Sequence, residues 1–387
     1  VYAFLVPELC KTNKNSIQLG YYTAFQFSSV GTRLNHASEE VGTDIMFAVV
    51  LAILSAMLFA GAAPAGKAML ATLPPFQLAG LFYLGAALGV SPLIAKSAAR
   101  REPWAFSSKT VKRLSVALIF GGVLAPVFLL LGLKAASASS VSMWLTLEAV
   151  FTAVIARMVF REHLGRIGWL SVFMATGAAI LLCLQEGISG LSAGCLSALA
   201  CLCWGIDNNS TAIIDGISPA RITFLKGLAA GSTNFLLGLS FEPHVLTVTS
   251  IGQALLVGAL AYGLSLTLYI TAAQQLGATR SQMIFATAPF FGVMFSAIFL
   301  SEALTMTQLF AGGVMGLAIY LLMNDQHAHD HEHEEMEHIH MHSHDDGHHN
   351  HTHPGQPATL RHSHWHKHEP ISHGHPHWPD LHHRHSH

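Results

Sequence analysis

Between residues 44 and 324 the chain offers ten long runs in which nearly every residue is apolar, and no other feature constrains its fold as much. They fall at roughly 46–66, 75–95, 114–134, 138–159, 166–184, 190–213, 221–241, 251–273, 281–300 and 307–323. A bilayer core is spanned by about 20 apolar residues in a helix, which satisfies its own backbone hydrogen bonds where no water can. The runs therefore predict an all-α membrane protein with ten transmembrane helices. They are continuously apolar and not alternating, which excludes a transmembrane β-barrel. Composition agrees: 51% of the residues are hydrophobic and 11% charged, more apolar surface than a soluble domain hides. Leu73-Pro74-Pro75, Ser218-Pro219 and Phe241-Glu242-Pro243 mark short connections between runs.

Charge is unevenly placed. Residues 1–326 hold 17 Lys/Arg against 13 Asp/Glu, whereas residues 327–387 hold 3 against 9 together with 23 of the 26 histidines. No patterned basic surface points to nucleic acid. Residues 1–43 lack the basic-then-apolar pattern of a signal peptide and are expected to form an unstructured extension. Lys96, Arg100, Arg101, Lys109, Lys112 and Arg113 follow the second run, and Arg157, Arg161 and Arg166 follow or end the fourth. The connections after the fifth, seventh and ninth hold no Lys or Arg. The positive-inside rule then puts both termini in the cytoplasm, at the plasma (inner) membrane. Of the five cysteines, Cys183, Cys195, Cys201 and Cys203 lie in apolar runs, where packing is expected in preference to a disulfide framework.

The runs repeat. A shift of 144 places Gly61 on Gly205, Pro75 on Pro219 and Leu81 on Leu225; a shift of 140 places Ala138 on Ala278, Phe151 on Phe291 and Glu162 on Glu302. Five spans is an odd number, so a second copy must sit upside down relative to the first. Inverted repeats of this kind serve alternating access, with a site near midplane between the halves.

Leu147-Glu148-Ala149-Val150-Phe151-Thr152-Ala153 through Phe160-Arg161-Glu162, followed by the span around Gly177, resembles an EamA domain. Its echo is Ala288-Pro289-Phe290-Phe291 through Ser301-Glu302, followed by Gly312, Gly313 and Gly316. Two such domains over residues 44–324 resemble the drug/metabolite transporter superfamily, and Trp204-Gly205-Ile206-Asp207-Asn208-Asn209 is similar to a segment of one EamA-type subgroup. The chain departs from the family at Ala149, where the second copy keeps the usual proline as Pro289. The resemblance implies ten helices and secondary-active movement of small solutes, often export, with cargo unspecified. The expected organisation is an extension (1–43), a first repeat (44–186), a second repeat (187–324) and a histidine-rich tail (325–387).

Ionisable residues at membrane depth are costly enough to be functional candidates, on the order of 2.5–3.5 kcal/mol each. Glu148 sits near the centre of the fourth run, and Asp207 in the sixth beside Asn208 and Asn209. On one reading these residues line a central cavity and bind a coupling proton or cation. On the other they are struts, for example Glu148 paired with Lys67 of the first run. Lys67 and Lys226 could also snorkel to the interface. Glu162 and Glu302 match the family glutamate after each fourth repeat helix and are expected to cap a helix or contact a gate. Pro64 could break the first helix or only kink it.

From His327 onward the chain reads His-x-His: His327, His329, His331 and His333; His338, His340, His342 and His344; His362, His364, His366 and His368; His373, His375 and His377. Too few apolar residues accompany them for a packed core, so the tail is expected to be disordered alone. Residues two apart in an extended chain share a face, and neutral imidazole suits Zn, Ni, Co or Cu. No resident cofactor is implied. Neither a His-Glu-x-x-His motif, a Gly-x-Ser-x-Gly motif nor a phosphate-binding loop appears, so an enzyme is not expected. Three functions stay open: a secondary-active exporter linked to divalent transition metals through its tail, a metabolite, amino-acid or drug exporter with a metal-regulated or buffering tail, and a membrane metal sensor that does not transport. Lipid and a small-molecule or metal-ion substrate are the expected partners, and a homodimer is compatible with the pattern.

Overall fold

A computed structural model describes residues 46–99, 107–160, 164–185, 187–212, 214, 217–243, 246–276, 284–324, 327–332, 336–342, 362–368 and 372–377. Contacts divide the chain into Val1–Phe47 and Ala48–His387, and the second unit carries the architecture.

The described helices are α1 Met46–Met69, α2 Pro75–Ala99, α3 Ser108–Ala135, α4 Ala138–Val159, α5 Arg166–Gln185, α6 Gly187–Ala212, α7 Pro219–Phe241, α8 Val248–Tyr269, α9 Ala288–Phe299 and α10 Met306–Met323. The first eight are long and apolar enough to cross a membrane. The ninth and tenth expected spans appear as shorter apolar helices: α9 has 12 residues, about 18 Å at 1.5 Å per residue. Its expected first residues, 281–283, lie outside the described residues. Large apolar side chains face outward, among them Phe173 at 68%, Leu236 at 61% and Phe310 at 65% exposure. Such a surface belongs against hydrocarbon and not water.

Inside the bundle the core is filled by Trp144, Phe82, Leu78, Leu130 and Leu133, all nearly inaccessible. Helices without a hydrophobic drive between them pack through small and polar residues. On α2, a methyl group at Gly85 would run into the Leu255 backbone of α8, so glycine is what lets these two helices touch. Between α1 and α8, Ser55 Oγ donates to the Ser265 carbonyl at 2.7 Å and Ser265 Oγ donates to the Ser55 carbonyl at 2.9 Å.

The two halves share their irregularities. Ser107 caps α3 by accepting from the Thr110 amide, and Thr247, 140 residues later, caps α8 by accepting from Ser250. Each helix then passes through a π-helical turn, Leu118–Leu124 in α3 and Gly258–Leu264 in α8, again offset by 140. Mid-helix interruptions also correspond: α4 breaks at Leu145–Thr146, and a helical segment preceding α9 breaks at Ala286–Thr287. In α1 the irregularity is a single turn at Gly61, and Pro64 lies within the helical segment Ala62–Met69.

The expectation of a wholly disordered tail needs correcting. The structure has β1 (His327–Glu332) antiparallel to β4 (Ser372–His377) and β2 (Met336–His342) antiparallel to β3 (His362–His368). A period of two needs only extended backbone, and pairing satisfies its amides and carbonyls without a core. The register sets histidine against histidine: His327 with His377, His329 with His375, His331 with His373, and likewise His338 with His366, His340 with His364 and His342 with His362. His368 stands opposite Met336. His333 and His344 lie outside the described residues.

Candidate functional site

The breaks in and before these two helices meet around one cavity. Leu145, Thr146 and Glu148 line it from α4, Ala286 from the corresponding break before α9, and Ala288 and Pro289 from the first turn of α9, with Phe59 of α1 and Tyr262 of α8 also on the wall. Its empty volume is about 590 Å³ including the part open to the outside, of which about 30 Å³ admits the centre of a water-sized sphere. The cavity is therefore narrow in this conformation, with room for a few waters at most, and a larger guest must spread the helices.

Glu148 lies in the first turn of the second half of α4, where the helix dipole favours negative charge. Its Oε1 accepts from Asn208 Nδ2 at 2.9 Å, and Asn208 also reaches Thr152 Oγ1 at 3.3 Å. Thr152 in turn donates to the Glu148 carbonyl at 2.8 Å. The sequence pair Glu148 and Asn208 is thus one contact between α4 and α6.

Asp207 has a different environment. Its Oδ2 lies 2.5 Å from Lys226 Nζ of α7, and Thr211 donates to Oδ1 at 2.9 Å. Lys226 is therefore held inside the bundle and does not snorkel. Asp207 is absent from the cavity lining; it packs against Gly121, where any side chain would collide with its carboxylate. The π-turn frees the Gly121 carbonyl for Tyr83 Oη at 2.5 Å and Trp204 Nε1 at 3.2 Å. Asn209 donates to the carbonyls of Thr152 and Gly205 at 3.1 and 2.8 Å, a helix-to-helix tie.

Lys67 is not a partner of Glu148. Its ammonium donates to the carbonyls of Leu133 and Ala136 at 2.6 and 2.8 Å, closing the C-terminal end of α3, where a cation is favoured. Two residues on, Glu302 accepts from the amides of Ala138 and Ser139, both at 2.8 Å, and from Ser139 Oγ at 2.6 Å. It caps the first turn of α4 from the connection between α9 and α10. Gln308 of α10 adds a bond to Ser140 Oγ at 3.0 Å. The corner between α3 and α4 is thus held by a cation on one helix end and an anion on the next. Glu162 lies outside the described residues.

Sequence reasoning passed over Glu242, whose carboxylate caps α2 through the amides of Phe76 and Gln77, both at 3.0 Å; its signal was an acid beside proline in a connection. It also missed the aromatic wall, Phe59 and Tyr262 with ring centres 5.8 Å apart and Phe59 and Phe285 at 5.2 Å. Among the described residues Cys183, Cys195, Cys201 and Cys203 are not joined in disulfides. Among the described residues no group of three or more His, Cys, Asp and Glu is placed to hold a metal ion.

Eight bilayer-length apolar helices, their lipid-type surface and a polar cluster enclosed between them define a multi-pass integral membrane protein. The EamA-like transporter family profile matches twice, over residues 46–184 and 191–324, and the chain belongs to that family. A protein of Methanothermobacter thermautotrophicus described as an uncharacterized transporter is 24% identical over 299 residues, 70% of this chain and 85% of that protein. A solved crystal structure superposes with a TM-score of 0.52 at 17% identity, over 71% of this chain and 96% of the other. That likeness bears on the fold alone. Membership makes transport of small solutes across a membrane the general activity.

Proposed function

We propose that the chain is a secondary-active exporter of small solutes, with ten spans in two inverted halves and Glu148 as the group that exchanges cargo against a coupling ion. The observation that carries this reading is the placement of Glu148 beside the paired helix breaks, in a cavity shared by both halves. Broken helices at the interface of two repeats are how transporters expose backbone and side chains to cargo. Glu302 and Lys67, gathered on the α3–α4 corner, act as the latch of one mouth, and Glu162 serves its counterpart at the other. Both termini lie in the cytoplasm of the plasma membrane, where the tail samples solutes bound for export.

The tail binds Zn, Ni, Co or Cu, as opposed histidines across two antiparallel ladders would allow. Metal acts on transport through the tail, because the described cavity lining offers one carboxylate and hydroxyls but no histidine or cysteine, the ligands a transition metal takes. Metal as the transported cargo is the second reading, favoured only by the tail. The test is tracer flux in proteoliposomes containing full-length protein, with a proton gradient imposed or collapsed, across a panel of organic solutes and divalent metals. Flux of an organic solute that follows the gradient supports the proposal. Gradient-driven zinc or nickel flux without any organic flux moves metal from effector to cargo, and no gradient-dependent flux of any solute contradicts transport by this mechanism.

A further inference from the structure

The charges around the cavity do not balance. Lys226 is committed to Asp207 at 2.5 Å, and Lys67 is committed to two carbonyls of the α3 end. Glu148 receives one neutral donor, Asn208. The Asp207–Lys226 pair acts on Glu148 from α6 and α7 with opposed charges, and the remaining titratable groups that bear on it are the phenols of Tyr83, Tyr262 and Tyr269 and the thiol of Cys201, all uncharged in their protonated forms. A carboxylate enclosed at membrane depth without a cation paired to it must take up a proton or a cationic guest.

The remaining wall says which kind of guest. Phe59, Tyr262 and Phe285 form a connected aromatic surface on the same cavity as Glu148, extended behind by Tyr269 on Phe285 at 5.0 Å and Trp204 on Phe59 at 6.3 Å. Aromatic faces attract ammonium groups and cover apolar substituents, whereas a transition metal needs several nitrogen, sulfur or carboxylate ligands. A zwitterion or an anion would bring a second negative charge to a site whose described lining holds no Lys or Arg.

Resting on the transporter reading above, we propose that this site takes a monovalent organic cation, an ammonium carrying an aromatic or alkyl body. The ammonium sits between the Glu148 carboxylate and the Phe59–Tyr262–Phe285 wall. The exchange balances as one for one: the carboxylate releases the cation, accepts one proton to become the neutral acid, and gives up that proton when the next cation binds.

Benzyltrimethylammonium is a permanently charged probe, and neopentylbenzene is its uncharged isostere. Full-length protein in nanodiscs is expected to bind the labelled cation saturably, with affinity falling as pH drops and one proton released per cation bound, and neopentylbenzene should not compete. Glu148→Gln should lose at least tenfold in affinity together with the pH dependence, while Glu148→Asp keeps the pH dependence. Phe59→Leu should weaken binding by about 3- to 30-fold, the range of a desolvated cation–π contact, with one proton still released per cation bound. No saturable binding of the cation, or binding unchanged in Glu148→Gln, overturns the inference. If the protein ignores ammonium cations yet moves a neutral or zwitterionic solute in a Glu148-dependent, gradient-driven way, cation selectivity falls and the transporter reading stands. If Glu148→Gln leaves every gradient-driven flux at the wild-type level, the site itself is wrong.

Discussion

Inside the bundle the Lys226 ammonium lies against one oxygen of Asp207 and the Thr211 hydroxyl against the other. Removing the cation alone leaves an unpaired buried carboxylate, a change that costs about 3–5 kcal/mol. Lys226→Met is therefore expected to reduce the yield of folded, detergent-stable protein sharply, and adding Asp207→Asn should recover most of it. A double variant as unstable as the single one would show that the pair is not a strut. Glu302 faces two amides and a hydroxyl. Glu302→Gln keeps one acceptor but points an N–H at donors, so it should destabilise by about 1–3 kcal/mol, read as a lowered thermal midpoint in detergent. An unchanged midpoint would remove the cap from the account. At this scale the sequence was a good guide to which residues matter and a poor guide to their partners. Asp207, Glu148 and Lys226 stood out as charges in apolar runs, but the runs do not say which helices adjoin. On sequence grounds Lys67 could pair with Glu148, whereas the fold sets it on the carbonyls of Leu133 and Ala136.

The helices themselves were legible because a bilayer imposes length and apolarity directly on sequence. Eight expected spans appear as full-length helices, with boundaries shifted by a few residues, and α9 is shorter than expected because its helix breaks just before Ala288. The π-turns of α3 and α8 had no signal: Leu118–Leu124 and Gly258–Leu264 are simply apolar. Their equal spacing from the two caps shows that repeat geometry, not local propensity, sets them. The tail departs most from expectation, since composition foretells the lack of a core but not backbone pairing. Imidazoles must be neutral to bind metal, so protons compete as pH falls below the ordinary histidine range near 6.5. Full-length protein should bind several zinc ions at pH 7.5 and progressively fewer toward pH 5.5, whereas a chain ending at Asn324 should lose that binding but still insert and fold. Calorimetry giving equal zinc uptake for both chains would place the metal elsewhere. If the tail is an effector, the shortened chain keeps its organic flux and loses only the response to added metal.

Across the whole molecule, the two family repeats place matching caps, π-turns and helix breaks on two halves that share one cavity. Exchange at the cavity works only if guest and proton compete for one group. The only carboxylate lining the described cavity belongs to Glu148. The most direct measurement is solute flux through full-length protein in proteoliposomes, wild type against Glu148→Gln, with and without a proton gradient, after confirming equal insertion. The account predicts that the variant loses all acceleration by the gradient and that its residual flux no longer varies with pH. Wild-type acceleration in Glu148→Gln across the pH range would contradict it.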